Sequence, residues 1–335
     1  MLFSDFSKKD WNTAIAQFFY DGYIQQSYNT FFDRLKARFF NKLFTYLSTT
    51  SDPLIQYKIG DRVLWLPFSH ELPRIKKGYP HYAENLVRLV QTIEEDYPNL
   101  RLIDVGANIG DSVALVQQVS QIPILCIEGD RRFFEILSRN TASLPQIDIS
   151  QVYLGEKNTT IRGQSQQQRG TANITLQGND CIAIKTLDSL LEDFPTFQQS
   201  KILKIDTDGF DGKVLRGARS FLQATQPILF FEYDPFSWSQ QGDRSLDIFQ
   251  YLSDLNYQYF LFYDNFGDLL LSTEFDFSIF KDIHRYFLGK FSQKYCDVCA
   301  FSSQDKNSFL RFKEHEIEFI ENKHLKLMTE NANIL

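Results

Sequence analysis

The residues best placed to do chemistry are acids and glycines that follow short apolar runs. The first group reads Leu102-Ile103-Asp104-Val105-Gly106-Ala107-Asn108-Ile109-Gly110-Asp111-Ser112. An apolar run ends in an acid, turns through Gly-x-Asn-x-Gly and opens a helix, so a ligand can lie directly against loop backbone. Glu128 stands 18 residues after Gly110, at the end of a second apolar run, Ile124-Leu125-Cys126-Ile127. A carboxylate there suits the two hydroxyls of a ribose. A later run, Ile202 to Ile205, leads into Asp206-Thr207-Asp208-Gly209-Phe210-Asp211, and another, Leu229-Phe230-Phe231, ends in Glu232.

Spacing and charge choose among nucleoside ligands. A dinucleotide fingerprint needs G-x-G-x-x-G, but counted from Gly106 the second glycine is Asn108 and the third is Asp111. Asp104, Asp111, Glu128, Asp130, Asp206 and Asp208 fall at or just after expected strand ends, with no lysine or arginine in the turn. A pyrophosphate meets repulsion at such a rim, whereas a sulfonium cation such as S-adenosylmethionine is favoured. A methyl donor is therefore expected over NAD or FAD; the plainer alternative is a tight connection with no ligand.

Asp206 and Asp208 can act as bases, orient a hydroxyl or offer oxygen to a metal. Glu232 leaves a fully apolar run, which is hard to explain as solvated surface. Asp208 can equally cap the following helix. An EF-hand fails because Phe210 takes the fifth loop position, and no histidine or third acid is fixed nearby by spacing, so no metal is expected. Lys204 sits inside an apolar strand, where pairing with a neighbouring carboxylate is the expectation. His70 and His81 are expected to be solvated loop histidines.

These groups need a scaffold, and the chain supplies one. Strands are expected near 101–105, 124–128, 149–153, 202–206, 228–232, 257–263 and 295–301, alternating with helices as in a doubly wound, mostly parallel α/β sheet. In such a sheet ligands sit beyond the carboxyl ends of the strands. One helix is expected after the fourth strand, with Phe210, Val214, Leu215, Ala218, Phe221 and Leu222 on one face. Residues 10–47 read as helical, 54–68 as a hairpin and 67–82 as a Pro-punctuated loop, followed by a helix from about Ala83 to Asp96. Arg34, Lys36, Arg38 and Lys42 make the second N-terminal helix basic and amphipathic; packing on its own domain is the expectation, a membrane or partner surface the alternative. Residues 155–181 interrupt the alternation, with the polar stretch Gly163 to Gly170 as the tip of an inserted hairpin.

At 335 residues the chain can bury a full core, and 32 phenylalanines point to aromatic packing. Its net charge of −7 argues against nucleic acid as partner. No secretory signal, spanning helix or disulfide framework is visible, and four cysteines fit a reduced, cytoplasmic setting. Cys296-x-x-Cys299 lacks a second pair; it lies in an alternating segment expected to place Cys and Val side chains on opposite strand faces as structural residues.

Together, Ile103 to Gly110, Ile127-Glu128-Gly129-Asp130, Thr186 to Leu191, Leu203 to Phe210 and Val214 to Ala218 resemble the FkbM family of S-adenosylmethionine-dependent methyltransferases. The resemblance covers roughly residues 100–235. The family usually shows Glu where Asp208 stands, and Pro more often than Gly129. It implies a class I, Rossmann-like methyltransferase fold with seven strands, the last antiparallel, and O-methylation of a hydroxyl on a sugar, glycan or secondary metabolite. Expected cofactor-binding residues are Asp104, Gly106, Ala107, Asn108, Gly110, Glu128, Gly129 and Asp206; expected catalytic residues are Asp206, Glu232 and Asp208. The expected division is a helical extension with hairpin over 1–98, a cofactor-binding domain over 99–305 and a helical tail over 306–335. Alternatives are a methyltransferase fold that only binds and, less favoured by the glycine spacing, an NAD(P)-dependent oxidoreductase.

Overall fold

A computed structural model describes residues 8–25, 30–168, 171–288 and 295–332. Two helices come first, α1 (Lys8–Ile24) and α2 (Phe31–Thr50). Thr30 caps α2, its hydroxyl accepting from the Asp33 amide while the Asp33 carboxylate accepts from the Thr30 amide. The hairpin β1 (Leu54–Ile59) and β2 (Arg62–Pro67) follows. The stretch expected as loop contains a short helix, α3 (Leu72–Gly78), which Pro73 starts rather than interrupts. Helix α4 (Glu84–Glu94) then leads into the sheet.

The sheet region runs β3 (Leu102–Val105), α5 (Asp111–Val116), β4 (Ile124–Glu128), α6 (Arg131–Thr141) and β5 (Ile147–Gln151). The short β6 (Tyr153–Leu154) and a long hairpin, β7 (Thr159–Gln168) with β8 (Thr171–Lys185), form a separate three-stranded sheet. That is the inserted hairpin expected from the sequence; residues 169–170 of its tip lie outside the described residues. Next come α7 (Leu187–Leu190), β9 (Ile202–Ile205), α8 (Asp211–Gly217), α9 (Arg219–Thr225) and β10 (Ile228–Tyr233). The single helix expected after β9 is two. A Cβ on Gly217 would run into the Gly155 carbonyl, and Ala218 departs from helical geometry at the join. The chain continues through α10 (Pro235–Gln240), α11 (Asp247–Asp254), β11 (Tyr257–Asp264), β12 (Leu269–Glu274), α12 (Phe277–Phe287), β13 (Cys296–Ser302) and α13 (Lys306–Ala332).

The central sheet has the order β12-β11-β13-β10-β9-β3-β4-β5. β5, β4, β3, β9 and β10 are mutually parallel, and β13 inserts antiparallel between β10 and β11. All seven expected strands are present, with the last antiparallel. An eighth, β12, adds an antiparallel edge that the sequence reading missed. Apolar side chains fill both faces: Leu203, Ile205, Leu229 and Phe231 belong to one buried cluster, Ile202, Ile228 and Phe230 to the other. Two-sided burial explains why these strands read as continuous apolar runs.

Cys296 shares the face of Val298, while Cys299 points to the other side. The expected opposition of Cys and Val thus holds for Cys299 only, and strand alternation keeps the two thiols apart. Both are buried and free, whereas Cys181 is exposed. Among the described residues no helix is long and apolar enough to cross a membrane.

Candidate active site

Parallel strands that start together also end together, so β3, β4, β9 and β10 deliver their terminal acids to one rim. The β3–α5 loop supplies its floor. Gly106, Asn108 and Gly110 all adopt positive φ, at 78°, 50° and 85°. A Cβ on Gly106 would collide with the carbonyl of Asp206, so glycine is required there by the approach of β9, before any ligand is considered. The Gly106 and Ala107 amides both donate to the Ile127 carbonyl, which ties the loop to the end of β4.

Glu128 is buried and bridges two segments. The Asn108 amide donates to its Oε2 at 2.9 Å and the Asp130 amide to its Oε1 at 2.7 Å. Burial pushes its pKa up to about 7, although both amides act in the other direction. Asp130 itself caps α6, accepting from the Arg132 and Phe133 amides. Gly129 leaves room for the Tyr153 ring, which a side chain at 129 would strike. A slot of about 70 Å³ runs between Glu128, Gly129, Phe133, Tyr153 and Phe210.

Asp104 is fully buried, and its Oδ1 accepts from Lys204 Nζ at 2.8 Å. Asp206 lies 3.7 Å from the same ammonium. Lys204 is therefore paired, as expected from its place in an apolar strand. Burial alone would lower its pKa, but Asp104 and Asp206 outweigh burial and hold it above the ordinary lysine range. Burial raises the Asp104 pKa against the pull of Lys204.

A larger cleft of about 280 Å³ opens on the other side of Asp206. It shares Gly106, Asn108, Asp206 and Asp208 with the slot and adds Asp111, Glu232, Asp297, Tyr82, Tyr295 and His70. Asp208 holds a left-handed backbone (φ 50°) and does not cap a helix; Phe210 occupies the cap position of α8 without a side-chain bond. Burial, then Asp206 and Asp211, pushes the Asp208 pKa up to about 8. Glu232 is raised well above the usual range by burial and by Asp206, Asp211 and Asp208.

Two acids absent from the sequence expectations complete this rim. Asp211 accepts from the Thr207 hydroxyl at 2.8 Å and from the Glu232 amide at 3.3 Å, clamping the ends of β9 and β10 together. Asp297 faces Glu232 across the β10–β13 pairing and accepts from Asn85 at 3.2 Å. Burial followed by Asp206 brings each to about 7. Asp211 was visible as part of an acidic Asp-x-Asp-x-x-Asp run, and Asp297 needed strand register.

The histidines part company. His81 is half-exposed beside Glu84, outside the cleft, as expected. His70 corrects the expectation of a solvated loop residue. Its Nδ1 accepts from the Leu72 amide at 3.2 Å, which leaves Nε2–H to donate to Asn108 Oδ1 at 3.4 Å. Burial draws its pKa down to about 4, so the ring is neutral near pH 7. Among the described residues no group of three or more His, Cys, Asp or Glu side chains could hold a metal ion.

This geometry can be set beside known proteins. Residues 104–259 match the model of the methyltransferase FkbM domain. The matched stretch, just under half of the chain, is similar to that domain. The matched region includes every rim acid named above except Asp297. No curated protein sequence matches the chain. Among solved structures, methyltransferase FkbM from Methylobacillus flagellatus KT is 21% identical, with 49% of this chain aligned to 40% of that one at a TM-score of 0.37. The chain thus spans well under half of that relative's length. Precorrin-6y C5,15-methyltransferase from Geobacter metallireducens GS-15 is 8% identical over 61% of this chain and 81% of that one, TM-score 0.33. The Pyrococcus abyssi tRNA (uracil-54, C5)-methyltransferase, in complex with S-adenosyl-L-homocysteine, is 10% identical over 74% and 44%, TM-score 0.36. The matched residues lie in an α/β, Rossmann-like architecture built on a large, mostly parallel sheet.

Proposed function

We propose that the protein is an S-adenosylmethionine-dependent O-methyltransferase acting on a hydroxyl of a sugar, glycan or secondary metabolite. The observation that carries the reading is the division of the rim at Gly106, Asn108, Asp206 and Asp208 into a nucleoside-side slot under Glu128 and an acidic cleft beyond it. Residues 99–305 form the catalytic unit in this reading, and the segment before residue 98 closes the acceptor side.

The residues present fit the methyl donor. Glu128 keeps acceptor capacity beyond its two amide bonds, enough for ribose hydroxyls, and the slot is walled by Phe133, Tyr153 and Phe210, whose faces suit a purine. The Asp206 carboxylate at the join of slot and cleft favours a sulfonium and disfavours a pyrophosphate. Gly106, Ala107, Asn108 and Gly110 shape the loop, Gly129 admits Tyr153, and Asp104 supports the site from below through Lys204. When bound, S-adenosylmethionine supplies an electrophilic methyl group.

The chain's own contribution is to align the acceptor oxygen and take its proton. Asp206 is the first choice as base, since it borders both slot and cleft and its strand adjoins the cofactor loop. Glu232 is the second, with Asp208 orienting the acceptor. Tyr82 and Tyr295 offer faces for the apolar side of a sugar ring. Phosphate-rich acceptors such as nucleic acid are disfavoured by the same charges, and no metal is required.

Calorimetry with S-adenosylhomocysteine and NADH tests the cofactor, and an acceptor screen followed by Asp206→Asn and Glu232→Gln tests the base. On a verified acceptor the base variant loses roughly 100-fold or more in turnover with cofactor affinity retained. If both amide variants keep parental turnover, neither carboxylate is the base.

A further inference from the structure

We propose that the outer face of α1 and α2 is a docking surface for an anionic lipid bilayer. The inner faces of these helices are already packed: Ala16, Tyr20 and Ala37 are buried, Tyr23 stacks on Phe44, and Tyr20 meets Phe68 edge to face. Gln17 ties α1 to β1 through both its amide nitrogen and its oxygen on Gln56. The apolar side chains left outside are therefore surplus to the fold. Phe18 is 67% exposed, Phe32 75% and Phe39 58%, with Ile15 and Leu35 beside them.

Their spacing makes one surface. Phe32, Leu35, Phe39 and Tyr46 recur at helical intervals along α2, and Phe18 connects across to it through ring contacts of Phe19 with both Phe18 and Phe39. Arg38 and Lys42 are interleaved with that stripe and Lys36 flanks it, all exposed. Helix α2 carries four basic residues, Arg34, Lys36, Arg38 and Lys42, against one acid, Asp33, in a chain whose net charge is −7. Aromatic residues set among lysine and arginine on a helix lying flat suit the interface of a bilayer with acidic headgroups. The same charge argues against a second copy of the chain, because two α2 faces brought together would oppose like charges.

The docking helices also touch the active site. The Tyr20 hydroxyl donates to the His70 carbonyl at 3.2 Å, and the His70 ring reaches Asn108 in the cofactor loop. A seated enzyme therefore holds its cleft close to the membrane surface.

The test is sedimentation of the full chain with vesicles of phosphatidylcholine alone or mixed with phosphatidylserine, at low and high salt, with light scattering on the free protein. Binding to mixed vesicles is expected, weakened by salt and nearly absent on phosphatidylcholine. It should fall roughly a hundredfold in the triple variant Lys36→Glu, Arg38→Glu, Lys42→Glu and about tenfold in Phe32→Ser with Phe39→Ser. Should a variant melt early, the salt and lipid dependence of the parent chain still decides. No binding to mixed vesicles, equal binding to both compositions, or a dimer that the aromatic variant dissolves without any vesicle binding overturns the proposal.

Discussion

The two sides of the rim handle their acids in opposite ways. At the ends of β3 and β4 the acids have strong partners: Asp104 has Lys204, and Glu128 has two backbone amides. On the cleft side Asp208, Asp211, Glu232 and Asp297 crowd together, and the ion pairs found among the described residues include none of them. Glu232 and Asp297 even face each other across adjacent strands, a pairing of like charges that opposes folding. Burial, followed by repulsion from Asp206, raises the pKa of all four. The acids that end β3 and β4 are thus held within the protein before a ligand arrives. The cleft side holds protons near neutral pH, and an acid of raised pKa is the stronger base for an acceptor hydroxyl once it has lost its own proton.

The largest expected effect lies with the paired acids. Lys204→Met strands Asp104 as a buried, unpaired charge, and loss of one member of such a pair costs about 3–5 kcal/mol. The double variant Asp104→Asn, Lys204→Met removes both charges and should regain most of that stability in a thermal or urea melt. Equal destabilisation of the single and double variants would show that the ion pair does not organise this side.

Ligand affinity comes next. Glu128→Ala should weaken S-adenosylhomocysteine binding by about 1–3 kcal/mol, roughly 5- to 150-fold by calorimetry. Glu128→Gln should weaken it as well, because its amide nitrogen must face one of the two N–H donors that now point at oxygen. Unchanged affinity in both variants would remove Glu128 from the nucleoside site.

The crowded side makes a prediction in pH. Glu128, Asp211 and Asp297 titrate near 7 and Asp208 near 8 in the folded chain, all above their ordinary values. The folded state therefore holds more protons than the unfolded state between about pH 4 and 8, and stability falls as pH rises through that window. The ligand-free protein should melt several degrees higher at about pH 6 than at about pH 8.5. S-adenosylhomocysteine affinity should run the other way, declining below about pH 7 as Glu128 takes up a proton. A melting temperature that instead rises with pH would mean the cleft acids are relieved within the protein itself.

Much of this contrast was legible in the chain. The acids at Asp104, Glu128, Asp206 and Glu232 could be placed at one rim because each ends an apolar run, and parallel strands bring such ends together. What escaped depended on contacts between distant segments. β12 joins Leu269-Leu270-Leu271 to Ser272-Thr273-Glu274 on a half-exposed edge, with no alternation to mark it. Asp297 sat in plain view between two cysteines, but only the register of β13 against β10 sets it opposite Glu232. Gly106 was read as yielding to a ligand, whereas the carbonyl of Asp206, a hundred residues away, already requires it.

The histidines give the smallest and sharpest test, since they flank the same short helix, α3. His70 is held by the Leu72 amide and Asn108, next to the Phe133 ring, and is neutral because burial lowers its pKa to about 4. His81 pairs with Glu84 in partial exposure. Removing His70 leaves the Leu72 amide and the Asn108 carbonyl without these partners, so His70→Ala should lower stability by about 1–3 kcal/mol and loosen the cofactor loop. His81→Ala breaks a solvent-screened pair and should change stability by less than about 1 kcal/mol. S-adenosylhomocysteine binding measured on both variants separates position from chemistry. It should weaken with His70→Ala and recover in part with His70→Gln, whose side-chain amide can still donate to Asn108. Equal behaviour of the two alanine variants would place His70 outside the support of the cofactor loop.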